Sequence, residues 1–265
     1  MRLPPNLAIQ LGFFFGGLFC AIALHAQDTV TVSDCPGKLL PVQFEVDCSH
    51  VADSALKQQC PTFARDQACR VFFAYRDITG INLEQSCPVF KYEIYDENQW
   101  PHPKGEGGLA GHCGADILSD VALKIDSPIG TYDVHEILHV YQAELGAIPQ
   151  AHILFGPSMA EARKRIGDNK GYWNAMTQMK QEMARNKPAL DKQPGVSDSA
   201  CIGAEVYTEN NIYVSNPAAV LAFYRKLETG RARDMNDRFR RFNRMYDLVS
   251  EGKAKPFLLN YCPAF

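Results

Sequence analysis

His135-Glu136-Ile137-Leu138-His139 sets two imidazoles four residues apart, with a carboxylate beside the first. Residues four apart on a helix stand one turn above each other, so both rings can reach one ion, while Glu136 is rotated just far enough to touch a water held there. This is the pattern of a catalytic zinc site with a built-in base: His135 and His139 as metal ligands, Glu136 as the proton carrier, Zn2+ as the cofactor. The flanks predict a helix from about Thr131, an N-cap candidate with Asp133 in the first turn, to about Gly146. Ile137, Leu138, Tyr141 and Leu145 give that helix an apolar side, needed to hold two ligands still.

Upstream, Pro41 to Asp47 alternates Val42, Phe44 and Val46 with polar residues, the period of a half-buried strand. Residues from about Ala64 to Thr79 read as a helix with Gly80 as its C-cap. Phe90 to Tyr95 reads as a second strand, Asn98 to Gly114 as a long Gly- and Pro-rich loop, and Ile117 to Ile125 as a third strand. Downstream, helices are expected at Ser158 to Ile166, 171–186, 216–229 and 232–249, with Lys187 to Ser199 as a surface loop. Strands before the motif and helices after it predict an α+β fold. With no internal repeat, residues 27–265 read as one catalytic domain, strand-rich over 27–146 and helical over 147–265.

The first 26 residues carry one charge, Arg2, and an apolar run from Leu11 to Leu24 that ends in Leu24-His25-Ala26. A secretory signal peptide cleaved after Ala26 is the expectation, and with it an extracellular or periplasmic location. Eight cysteines then remain: Cys35, Cys48, Cys60, Cys69, Cys87, Cys113, Cys201 and Cys262. An even count in an exported chain predicts disulfides, in pairs that spacing alone does not assign, and six of the eight fall between residues 35 and 113. No pair has the tight spacing of a zinc knuckle. The net charge of -3 gives no reason to expect nucleic acid as a partner. The basic residues around Lys226 to Arg244 are interleaved with Glu228, Asp234 and Asp237 and read as a solvated helix face. No segment after the leader is apolar enough to span a bilayer.

Two histidines need a third protein ligand, and the spacing after His139 narrows the choice. One large group of zinc proteases places Gly and then His at three and six residues past the second His; here those positions hold Gln142 and Leu145. A Glu on the next helix remains, and Glu161 lies 22 residues past His139 in Phe155-Gly156-Pro157-Ser158-Met159-Ala160-Glu161-Ala162. The chain here resembles the gluzincin metallopeptidases, over roughly residues 66 to 166. The resemblance implies Glu161 as third ligand, a zincin-like fold with an antiparallel edge strand before the motif helix, and a peptide or protein substrate. Two positions depart from the pattern: Arg165 stands where several gluzincins carry an acid, and Ala162 replaces the usual Gly. The subfamily stays unassigned.

Glu161 also has a plain alternative, a capping box with Ser158, and Glu205 and Glu209 are rival ligands. His112 and Cys113 read as a loop histidine and a disulfide cysteine. His152 and Tyr207 are candidates for steadying an oxyanion. The expected function is therefore a secreted zinc metallopeptidase. The alternative is a secreted binding domain on the same scaffold with a structural zinc, against which the intact Glu136 speaks.

Overall fold

The computed structural model describes residues 28–123, 131–144, 154–192, 195–227 and 232–265. The expected signal peptide and cleavage point, and His152, lie outside them.

The N-terminal part begins with β1 (Thr29–Cys35) and β2 (Lys38–His50), an antiparallel hairpin turned by Pro36-Gly37 with Gly37 at φ 73°. That is the Pro-Gly signature of a turn needing positive φ at its second central residue. Short α1 (Ser54–Lys57) leads into α2 (Cys60–Asp66), a π-helical turn over Gln67–Val71, and α3 (Phe72–Thr79). Gly80 ends α3 in the left-handed conformation, its N–H on the Arg76 carbonyl, as the sequence predicted. β3 (Val89–Tyr95), β4 (Gly108–Gly111) and β5 (Gly114–Leu118) complete a five-stranded mixed sheet in the order β1-β2-β3-β5-β4. β2, β3 and β5 run parallel, and both outer strands are antiparallel to their neighbours.

Alternation decides which face of the sheet is covered. Leu40, Val42, Phe44, Val46, Phe90, Tyr92, Ile94 and Ile117 are buried, and Phe44 stacks on Phe90 while meeting Phe72 of α3 edge-on at 5.5 Å. Rings of this size supply much of the core and prefer such offset and edge geometries. After α4 (Ser119–Ala122), the motif helix α5 (Thr131–Glu144) lies against α3. Tyr75 donates to the Val134 carbonyl at 2.6 Å and Tyr141 to the Phe72 carbonyl at 2.9 Å, so two buried hydroxyls tie α5 to the helix resting on the sheet.

The rest of the described residues are mainly helical: α6 (Phe155–Arg165), α7 (Asn169–Lys192), α8 (Asp198–Ser215), α9 (Ala218–Lys226), α10 (Met235–Val249) and α11 (Lys255–Leu258). Buried residues of both parts join one contiguous apolar cluster. Four disulfides form, Cys35–Cys69, Cys48–Cys60, Cys87–Cys113 and Cys201–Cys262, three of them in the N-terminal part. No described helix is long and apolar enough to cross a membrane.

Several expectations are corrected. The third strand is Gly114–Leu118 rather than Ile117 to Ile125, because the chain turns into α4 at Ser119. Part of the expected loop Asn98 to Gly114 is the edge strand β4, whose Gly-Leu-Ala-Gly sequence carries no strand propensity and is extended through its pairing with β5. The expected break Lys187 to Ser199 is mostly helix: α7 continues through Pro188 to Lys192, and α8 begins at Asp198 after Ser197 caps it by accepting from the Ala200 N–H. Arg238, on the face read as solvated, is buried against Glu205. Side-chain roles given to Thr131 and Asp133, and the expected helix end at Gly146, lie outside the described residues.

Candidate metal centre

Helix α5 delivers the motif as its periodicity requires. His135 Nε2 and His139 Nε2 face each other at 3.0 Å, and His135 Nε2 lies 3.8 Å from Glu136 Oε1. Two nitrogens bound at about 2.05 Å to a tetrahedral ion stand about 3.3 Å apart, so the separation of the two rings is close to that of two ligands on one ion. Both imidazoles are partly exposed, while Glu136 is buried. His135, Glu136 and His139 together form a group able to hold a metal.

The edge strand supplies the other wall. The Ala110 backbone N–H faces the Glu136 carboxylate, and a Cβ on Gly108 would stand 2.7 Å from Glu136 Oε1, so a side chain there would have to move the carboxylate. Burial pushes the Glu136 carboxyl up to about 7; Glu106 adds to the rise and the Ala110 N–H opposes it. A carboxyl poised near neutrality can both take and return a proton. Beyond Glu106 opens a groove of about 920 Å³, lined among others by Asp96, Glu97, Trp100, His102, Glu106 and Asp120.

Phe155, the first residue of α6, closes the opposite side. Its ring meets His135 edge-on with centroids 4.3 Å apart and stacks on His139 at 5.3 Å. Leu154 before it adopts φ 48°, a left-handed conformation that costs a non-glycine residue about 1–2 kcal/mol.

Glu161 lies on this same helix but outside the His135–Glu136–His139 group. Its Oε2 accepts from Tyr213 at 3.4 Å and its Oε1 from Arg165 at 3.3 Å. The capping-box alternative fails because Ser158 sits inside the helix, its hydroxyl 2.7 Å from the Tyr224 hydroxyl. The rivals are engaged elsewhere: Glu205 pairs with Arg238, and Glu209 Oε2 accepts from the Leu154 N–H at 2.7 Å and the Tyr246 hydroxyl at 3.0 Å. Cys87, His112 and Cys113 also cluster, but the two cysteines are joined in a disulfide, which removes their thiolates as ligands. Tyr207 packs on Phe257 of α11.

Sequence reasoning missed Tyr213, Phe155, Ala110 and Gly108. Tyr213 lies in the unread α8, and the parts played by Phe155, Ala110 and Gly108 depend on neighbours remote in sequence, which residue type does not reveal. Comparison of the chain with family models, curated proteins and solved structures finds no match.

Proposed function

We propose that the chain is an exported, zinc-dependent metallopeptidase, similar to the gluzincins, with His135, His139 and Glu161 as ligands and Glu136 as the catalytic acid–base. The observation that carries this reading is the convergence of two Nε2 atoms at 3.0 Å beside a buried carboxyl raised to about 7. When bound, zinc supplies Lewis acidity toward a peptide carbonyl and lowers the pKa of its water. Glu136 takes the proton of the attacking water and returns it to the leaving amine, while the Ala110 N–H opposes the rise in its pKa. The unpaired side of β4 is where an extended peptide would add as a further strand. Four disulfides support an oxidising, extracellular or periplasmic setting.

In this reading Glu161 would be the third residue to hold the ion, in place of its present contact with Arg165. The present engagement of Glu161 counts against a three-ligand catalytic site, and the second reading to be tested beside it is a secreted binding domain in which zinc is structural. Zinc stoichiometry and cleavage of an unstructured protein such as casein, on wild type beside Glu136→Gln and Glu161→Ala, separate the two. One zinc per chain with cleavage, cleavage lost in the first variant and zinc weakened in the second, supports the peptidase. Zinc without cleavage of any protein supports the binding domain, and absence of zinc binding defeats both.

A further inference from the structure

We infer that Glu209 is a positioning residue for the His135–His139 pair, acting through the backbone of Leu154 and the ring of Phe155. Its consequence for zinc rests on the reading above; its geometry does not.

The chain enters α6 at Leu154, which is buried and left-handed, so its N–H has to find an acceptor inside the protein. Glu209 Oε2 is that acceptor at 2.7 Å, and the Tyr246 hydroxyl of α10 donates to the same oxygen at 3.0 Å. One residue on, Phe155 packs against both imidazoles. One further on, Gly156 lies against α8 and α7: a Cβ there would stand 3.2 Å from Asn210 Oδ1 and 3.2 Å from Met179 Cγ. Glu209 and Asn210, consecutive residues of α8, therefore meet Leu154 and Gly156 on either side of Phe155, whose ring touches both candidate ligands. Mutating groups that orient metal-binding imidazoles from behind typically costs about 10- to 100-fold in metal affinity. What Glu209 supplies is an acceptor oxygen at a fixed place, and a neutral amide supplies the same.

The test compares wild type with Glu209→Gln, Glu209→Leu, Phe155→Leu and the Glu209→Leu/Phe155→Leu double variant. Two readouts are taken: the NMR shifts of the His135 and His139 ring protons in metal-free protein, which sense the ring current of Phe155, and zinc affinity by chelator competition. Glu209→Leu is expected to move both imidazoles toward their Phe155→Leu positions and to weaken zinc about tenfold. Glu209→Gln should stay near wild type, and the double variant should bind zinc no more weakly than Phe155→Leu alone, since the two act in series. Unchanged imidazole shifts in a folded Glu209→Leu protein, or losses that add in the double variant, overturn the proposal. Should Glu209→Leu fail to fold, Glu209→Asp, which withdraws the acceptor by one methylene, is read in the same way. A wild type that binds no zinc defeats the metal reading and leaves the NMR shifts to decide this one.

Discussion

The backbone N–H of Ala110, in the edge strand β4, faces the carboxylate of Glu136, in the middle of the motif helix, and opposes the rise that burial gives its pKa. The residue expected to move protons is thereby tuned from a different element than the one that carries it. Glu136→Gln keeps shape but cannot accept a proton, so turnover should fall by at least a hundredfold with zinc content unchanged. His139→Ala should instead lose the metal. Metal analysis of both proteins beside a peptidase assay checks the pair.

Glu106 is the charged neighbour that helps hold the Glu136 carboxyl up at about 7. A general base works only when deprotonated, so kcat/KM should rise with pH as Glu136 loses its proton, at a pH below the metal-free value because a bound dication favours the carboxylate. Removing the neighbouring charge in Glu106→Gln lowers the pKa and should move the rising limb toward acid. A pH–rate profile for the two proteins gives the sign, and a limb that moves the other way contradicts the assignment.

Burial pushes the Glu209 carboxyl up to about 8, against the Leu154 N–H and the Tyr246 hydroxyl. A carboxyl with a raised folded-state pKa binds protons better folded than unfolded. Its contribution to stability is complete below the unfolded value near 4.5 and is lost as pH rises through about 8. Wild type should lose stability across that window by an amount on the order of a few kcal/mol, and Glu209→Gln should flatten the curve. Urea unfolding at several pH values measures it.

Arg238 and Glu205 form an ion pair with both side chains sealed from solvent. Burial pushes the Glu205 carboxyl up and Arg238 pulls it back. Arg238→Met strands the acid in the interior and should destabilise by about 3–5 kcal/mol, while Arg238→Met/Glu205→Leu recovers most of that loss. Denaturant midpoints of the three proteins decide it.

Cys201–Cys262 closes the longest loop of the four disulfides, with a sequence separation of 61. Replacing both cysteines by Ala should cost about 4 kcal/mol by loop entropy and lower the melting temperature accordingly. Because the bond anchors α8, imidazole shifts in this variant also report how firmly the site rests on the C-terminal helices.

The parts legible in the sequence were those written in residue type: the motif on its helix, the cysteines as disulfides, Gly80 as a cap, the alternation that makes β2 and β3. The parts that were not depend on partners remote in sequence. Gly108 to Gly111 is a strand only beside β5, and nothing in Gly-Leu-Ala-Gly announces it. α8 escaped because it packs on several sides: Glu205, Thr208, Glu209 and Asn210 are buried, so no single apolar stripe marks it. Glu161 was found by its distance along the chain from His139, but spacing does not say which way a carboxylate turns, and it is held by Arg165 and Tyr213.

The bare α-carbon at position 108 has one last implication. The volume a methyl group would fill there is already taken by an oxygen of Glu136, so the strand and the acid share one envelope. Alanine at 108 would be a probe of chemistry disguised as the mildest of changes, displacing a proton acceptor by one methyl group.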